Sequence, residues 1–191
     1  MGTPEERLHV FARGGAESED LLPFLDYVAR LKPTLIVALD LFYHDFKLSL
    51  FLTESRKRYL RDYIARLHAT GAAVVVGNIP DMVLLRHEHV NRYLETLRDE
   101  FPNLLLLDVS GRVEALNEEG LAAEVDGNPT VLRRDDLFAD RVHVNALGSA
   151  ALANFLREEL RARFPDRWPE GDPGPIPLRR ATEAAEGPEH H

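Results

Sequence analysis

Three short apolar runs constrain this chain more than any other feature: residues 34–39, 72–76 and 104–107. Each is apolar on successive positions rather than alternate ones, and each is too short for a buried helix. Strands of that kind are covered on both faces, which is the environment of a parallel sheet with helices above and below it. Residues 8–12 form a further strand candidate ahead of them. Between the runs lie stretches of helical periodicity, so the order of elements alternates strand and helix. The expected fold class is α/β: a three-layer α/β/α sandwich around a parallel sheet.

The helices have recognisable ends. Ser18-Glu19-Asp20 offers a capping hydroxyl and first-turn acids, with leucines and aromatics at helical spacing as far as Leu31, and Pro33 stops the run. Further helices are expected over 55–70, closed by Gly71, over 88–101, over about 112–119 and over 146–164. A loop through Asp126-Gly127-Asn128-Pro129 is expected ahead of the last helix. Residues 1–164 are read as one domain. From 165 to 191, Pro, Gly and Glu dominate, as in a flexible tail, and His190 and His191 close it.

Composition removes several function classes. Lys and Arg number 23 against 32 Asp and Glu, a net charge of −9, with no basic stripe for nucleic acid. The chain has no cysteine, which excludes disulfides and thiolate chemistry. No apolar run approaches the ~18–20 residues of a membrane span, and the N-terminus carries no apolar signal core. A cytoplasmic location is expected by default, and a secreted or periplasmic one if an N-terminal segment precedes Met1. No Walker loop or Gly-x-Gly-x-x-Gly occurs. His87-Glu88-His89 has the wrong spacing for a zinc pair on a helix, and no cofactor is expected.

The stretch with most chemistry is Asp140-Arg141-Val142-His143-Val144-Asn145-Ala146-Leu147-Gly148. A carboxylate three residues before a histidine, on a turn entering a helix, can accept the imidazole Nδ1–H. That fixes the tautomer and leaves Nε2 to take a proton from a nucleophile. The plain alternative is a surface turn, with Asp140 in a local bond and Asn145 as helix cap. Gly148, Ala150, Ala151 and Ala153 would let the helix approach the sheet closely and set His143 over the strand ends. Gly15, His44, Asn78 and Asp108 all follow strand candidates, where parallel sheets place their sites.

The string resembles the last signature block of the SGNH/GDSL hydrolases, Asp-x-x-His followed by Asn or Pro and then Gly. Gly15, between a strand and a Leu-rich helix, is in register with the glycine whose N–H serves the oxyanion in that family. Lys32-Pro33-Thr34 through Phe42-Tyr43-His44-Asp45 resembles a further block, with His44 where the family has its oxyanion-binding Asn. Phe42, Tyr43 and Phe46 there suit core filling or an acyl pocket equally. Asn78-Ile79-Pro80-Asp81 resembles a pocket-lining segment. The likeness covers about residues 8–164 and implies a flavodoxin-like sheet and hydrolysis of a carboxylic ester, as an esterase, lipase or carbohydrate acetylesterase. The partner would be a small-molecule ester, an acylated sugar or a lipid. His143 would be general base, Asp140 its orienting group, and Gly15 and His44 the oxyanion donors.

The Gly-Asp-Ser block that carries the family's nucleophile, on a first strand, does not occur in the sequence. Three readings follow: a hydrolase shortened at its N-terminus; a smaller sheet in which 8–12 pairs with 34–39 and Ser18 stands near the nucleophile's place; or a catalytically inactive binding module that keeps the pocket.

Overall fold

The computed structural model describes residues 9, 17–46, 51–80, 87–140, 143–165 and 174–180. The strand expected at 8–12 and the turn holding Gly15 lie outside them, as do Asp81 and the final His190 and His191.

Helix α1 spans Ser18–Leu31. Its N-cap is Glu17, not Ser18: Glu17 and Asp20 form a reciprocal capping box. The Ser18 hydroxyl is used elsewhere. Strand β1 (Leu35–Ala38) leads through the single-turn helix α2 (Tyr43–Phe46) to α3 (Glu54–His68), capped by the Thr53 hydroxyl. Strand β2 (Ala73–Gly77), helix α4 (Glu88–Glu100) and strand β3 (Leu104–Leu107) follow, and the described strands form a three-stranded parallel sheet in the order β1-β2-β3. Val74 lies opposite Ile36 on one side and Leu104 on the other.

Helices cover both faces of this sheet. On one, α1, α3 and α4 bring Leu25, Leu60, Ile64, Leu67, Leu94 and Leu97 against Val74, Val76, Leu104 and Leu106. Full burial of such a side chain stabilises the fold by roughly 1.5–3 kcal/mol. Phe42 and Phe46 belong to this core, with Phe42 edge-on to Tyr63 at 5.8 Å, so they fill space rather than line an acyl pocket. On the other face, α7 (Ala146–Arg163) lays Leu160, Phe155 and Leu156 over Val75, Leu105 and Leu107.

β2 and β3 are buried throughout, as their sequences require. β1 is not. Leu35 and Val37 remain 41% and 43% exposed; among the described residues, α7 packs over β2 and β3 rather than over that face of β1.

The region after β3 differs most from expectation. Helix α5 (Val109–Glu118) is followed by a β-hairpin where a loop was expected, β4 (Leu121–Val125) and β5 (Asn128–Leu132). Asp126 and Gly127 between them have φ of 53° and 78°, the backbone of a type I′ turn, which Asp-Gly favours. Pro129 is tolerated because β5 is an edge strand. Helix α6 (Arg134–Leu137) then precedes the loop into α7. Within the segment expected as tail, 174–180 is held against this hairpin: Leu178 makes a parallel bridge to Val125, and its C=O accepts from the Asp126 N–H at 3.1 Å.

Burial raises the pKa of Tyr63 well above the usual phenol range, and burial likewise raises that of Tyr59, against a lowering contribution from its Ser18 hydrogen bond. The folded state therefore binds the phenolic protons more tightly than the unfolded chain, and their stabilisation fades as pH climbs above about 10, where the unfolded phenols ionise. Urea midpoints should fall between pH 8 and pH 10.5, and Tyr59→Phe/Tyr63→Phe should lessen that fall. An unchanged fall in the double variant would show that other groups cause it.

Candidate active site

The loop between α6 and α7 is tied at both ends. Phe138 and Val144 form an antiparallel bridge, Ala139 N–H donates to the His143 carbonyl at 2.8 Å, and Asn145 N–H donates to the Leu137 carbonyl at 2.9 Å. Asn145 caps α7 through Oδ1, which accepts from Gly148 N–H at 2.9 Å, while its Nδ2 donates to the Asp136 carbonyl at 2.8 Å. The cap expected from sequence is present, and it coexists with the Asp–His pair.

Within this loop Asp140 grips His143 twice. Oδ1 accepts the backbone N–H of His143 at 2.7 Å, and Oδ2 lies 2.8 Å from its Nδ1. With the carboxylate ionised, Nδ1 carries the proton and donates it, so Nε2 presents its lone pair. The His143 side chain is 79% exposed, so the pair adds at most ~1 kcal/mol to stability. What it gives is a fixed tautomer and ring orientation.

His143 borders a cleft of about 1980 Å³, larger than the ~300–1,000 Å³ of an ordinary small-molecule pocket. One wall is the C-terminal edge of the parallel sheet, with Leu39, Asp40, Gly77 and Asn78. Tyr43 and His44 of α2 lie on it, and the opposite side is built from the hairpin, α7 and residues 175–180. His44 stands on α2 with its ring edge-on to Tyr43 at 5.2 Å. His143 and His44 both line the cleft, as does Tyr43, one of the three aromatics the sequence offered for core or pocket; Asp40 and Asn154 line it without having been singled out in the sequence.

Asn78 serves the frame of the cleft. Its Nδ2 donates to Asp108 Oδ1 at 2.8 Å and its Oδ1 accepts from Ser110 N–H at 2.7 Å, joining the ends of β2 and β3. Asn91 braces the next residue, bonding both the N–H and the C=O of Ile79 at 2.8 Å.

Ser18 does not line the cleft. It is fully buried where α1, α2 and α3 meet. Its hydroxyl donates to Asp45 Oδ1 at 2.8 Å, lies 2.8 Å from the Tyr59 hydroxyl, and its N–H donates to Asp45 Oδ2 at 3.1 Å. Those bonds secure α2, which carries His44. Gly148 was expected to bring α7 onto the sheet. Instead its α-carbon faces the Leu137 carbonyl of α6, and that close approach positions the dyad's loop.

No family model matches the chain, and no curated protein or solved structure matches it either. Among the described residues that line the cleft, Tyr43 alone carries a hydroxyl. No group of three or more His, Asp or Glu among the described residues is placed to hold a metal ion. His87 caps α4 from a buried position, with Nε2 3.2 Å from the Phe46 carbonyl oxygen. No described helix is long and apolar enough to cross a membrane.

Proposed function

We propose that this protein is a serine-type hydrolase of carboxylic esters, of the SGNH/GDSL kind in a flavodoxin-like sheet, with His143 as its proton-transfer group. The observation that carries the reading is the Asp140–His143 pair, held at 2.8 Å on the rim of a cleft at the C-terminal edge of a parallel sheet. In such a reaction a hydroxyl oxygen attacks the ester carbonyl carbon while His143 Nε2 takes the hydroxyl proton. The same nitrogen then returns that proton to the departing alkoxide. Water repeats the cycle on the acyl-enzyme. His44 would donate an N–H to the oxyanion, and Gly15 a backbone N–H. The substrate class, an acylated sugar or a lipid, follows from the family likeness. A cleft of this volume suits an extended ester.

A second reading has its own support. The cleft shows no serine or threonine among its described lining residues, which favours a binding module that uses the same walls without turnover. Intact-mass labelling with a fluorophosphonate, run beside hydrolysis of a short-chain nitrophenyl ester, separates the two. The hydrolase gives one stoichiometric adduct that disappears in His143→Ala, and peptide mapping locates the serine. A folded sample that takes no label and turns over no ester is the binding module.

A further inference from the structure

Residues 174–180 lie along the domain with a two-residue period that their sequence matches. Ile176 turns its backbone toward the domain while its side chain stays exposed: its N–H donates to Asn154 Oδ1 at 2.6 Å and its C=O accepts from Asn154 Nδ2 at 2.9 Å. Two residues on, the Leu178 side chain packs against the cluster of Leu116, Val125, Leu132, Leu137 and Leu147, and its C=O accepts from Asp126 N–H. Two further on, Arg180 N–H donates to Asp126 Oδ2 at 3.4 Å. The positions between are Pro175 and Pro177, both exposed. An outward-facing residue of an extended strand needs no inward N–H, and proline has none to offer. Proline also restricts the free segment to extended conformations and so lowers the entropy lost on docking.

From this register we infer that Asn154, Asp126 and the exposed side of β4 form a peptide-binding groove, which the chain fills with its own Pro-Ile-Pro-Leu segment. The ligand class is an extended peptide with prolines on alternate positions and an apolar anchor two residues after the residue bracketed by Asn154. A strand-like bridge at the sheet edge and the side chains of Asn154 and Asp126 supply the backbone bonds, and the leucine supplies the side-chain anchor. Because 175–180 also line the dyad's cleft, the docked peptide is one of its walls. The groove is independent of whether the cleft hydrolyses esters.

The test is fluorescence anisotropy of a labelled peptide, Gly-Pro-Ile-Pro-Leu-Arg-Arg, with the full-length chain. In the wild type the tethered segment competes at high effective concentration, so the added peptide should bind weakly. Leu178→Asp takes away the internal anchor and should tighten peptide binding at least about tenfold, the scale of such a tethering advantage. Ile176→Pro, which removes the N–H that Asn154 accepts, should act in the same direction. Adding Asn154→Ala to either variant should abolish the gain. Circular dichroism checks that each variant is folded. Equal binding by the wild type and both folded variants would overturn the groove, and so would a gain that survives Asn154→Ala.

Discussion

His143→Ala lowers ester turnover by on the order of 10⁶-fold under the proposed hydrolase chemistry, with little change in melting temperature. The two halves of that expectation have separate causes. Turnover falls because His143 is the imidazole that Asp140 holds in the tautomer a general base needs. Stability holds because the His143 side chain is 79% exposed, and its bond to Asp140 contributes at most ~1 kcal/mol. In a chain of this size that is about 2–4 °C. Asp140→Asn is the sharper companion. The asparagine oxygen can still accept the His143 backbone N–H, but its NH₂ would then face Nδ1. That arrangement favours the tautomer with its proton on Nε2, where the base is needed, and turnover should fall by on the order of 10⁴-fold. Steady-state kinetics with a nitrophenyl ester and a thermal melt read both effects. Full activity in either variant would remove the dyad from catalysis. A large loss of melting temperature in His143→Ala would mean that the pair is a structural clasp.

Much of the fold could be read from the residues because its parallel sheet is built from unambiguous signals. The runs at 72–76 and 104–107 are apolar without alternation, the pattern a doubly covered strand requires. The run at 34–39 has the same composition but lies at the edge of the described sheet. Composition reports what a strand tolerates, not which neighbours reach it, so the exposure of Leu35 and Val37 was not visible. The hairpin was hidden for a different reason. β4 reads Leu-Ala-Ala-Glu-Val, poor in β-branched and aromatic residues, and its pairing depends on β5 and Leu178 rather than on its own propensity. Asp126-Gly127 was the available clue, and Pro129 beside it masked the strand. At the site, the Asp140–His143 contact was legible because it is local, three residues apart on one turn. Ser18 was misjudged because its partners, Asp45 and Tyr59, are distant in sequence. A hydroxyl at a helix start looks like a cap until tertiary bonds claim it. Asn154 gave no signal at all, since a polar residue on a helix surface is ordinary until a returning segment meets it.

Gly148→Ala should destabilise the protein by about 2–3 kcal/mol, although the same change at an open helix position would stabilise it by up to ~1 kcal/mol. The sign reverses because of where the new methyl lands. A Cβ at 148 would fall on the Leu137 carbonyl oxygen, far inside van der Waals contact, and would lie 3.1 Å from the Val144 Cβ. The first obstacle is backbone and cannot rotate away. It is also committed, since the Leu137 carbonyl accepts the Asn145 N–H that anchors the start of α7. Relief requires α6 and α7 to separate, which disturbs the loop from Phe138 to Asn145 and with it the angle of His143. A melt should therefore show a loss of roughly 4–12 °C, at about 2–4 °C per kcal/mol for a chain of this length. Any esterase activity should fall with it at temperatures where the variant is still folded. Ser149→Ala, on the exposed neighbouring position of the same helix, is the control and should stay within about 0.5 kcal/mol of wild type. A Gly148→Ala protein as stable as its parent would show that α6 and α7 do not approach here as described. The dyad's position would then depend on the Asn145 cap and the Phe138–Val144 bridge alone.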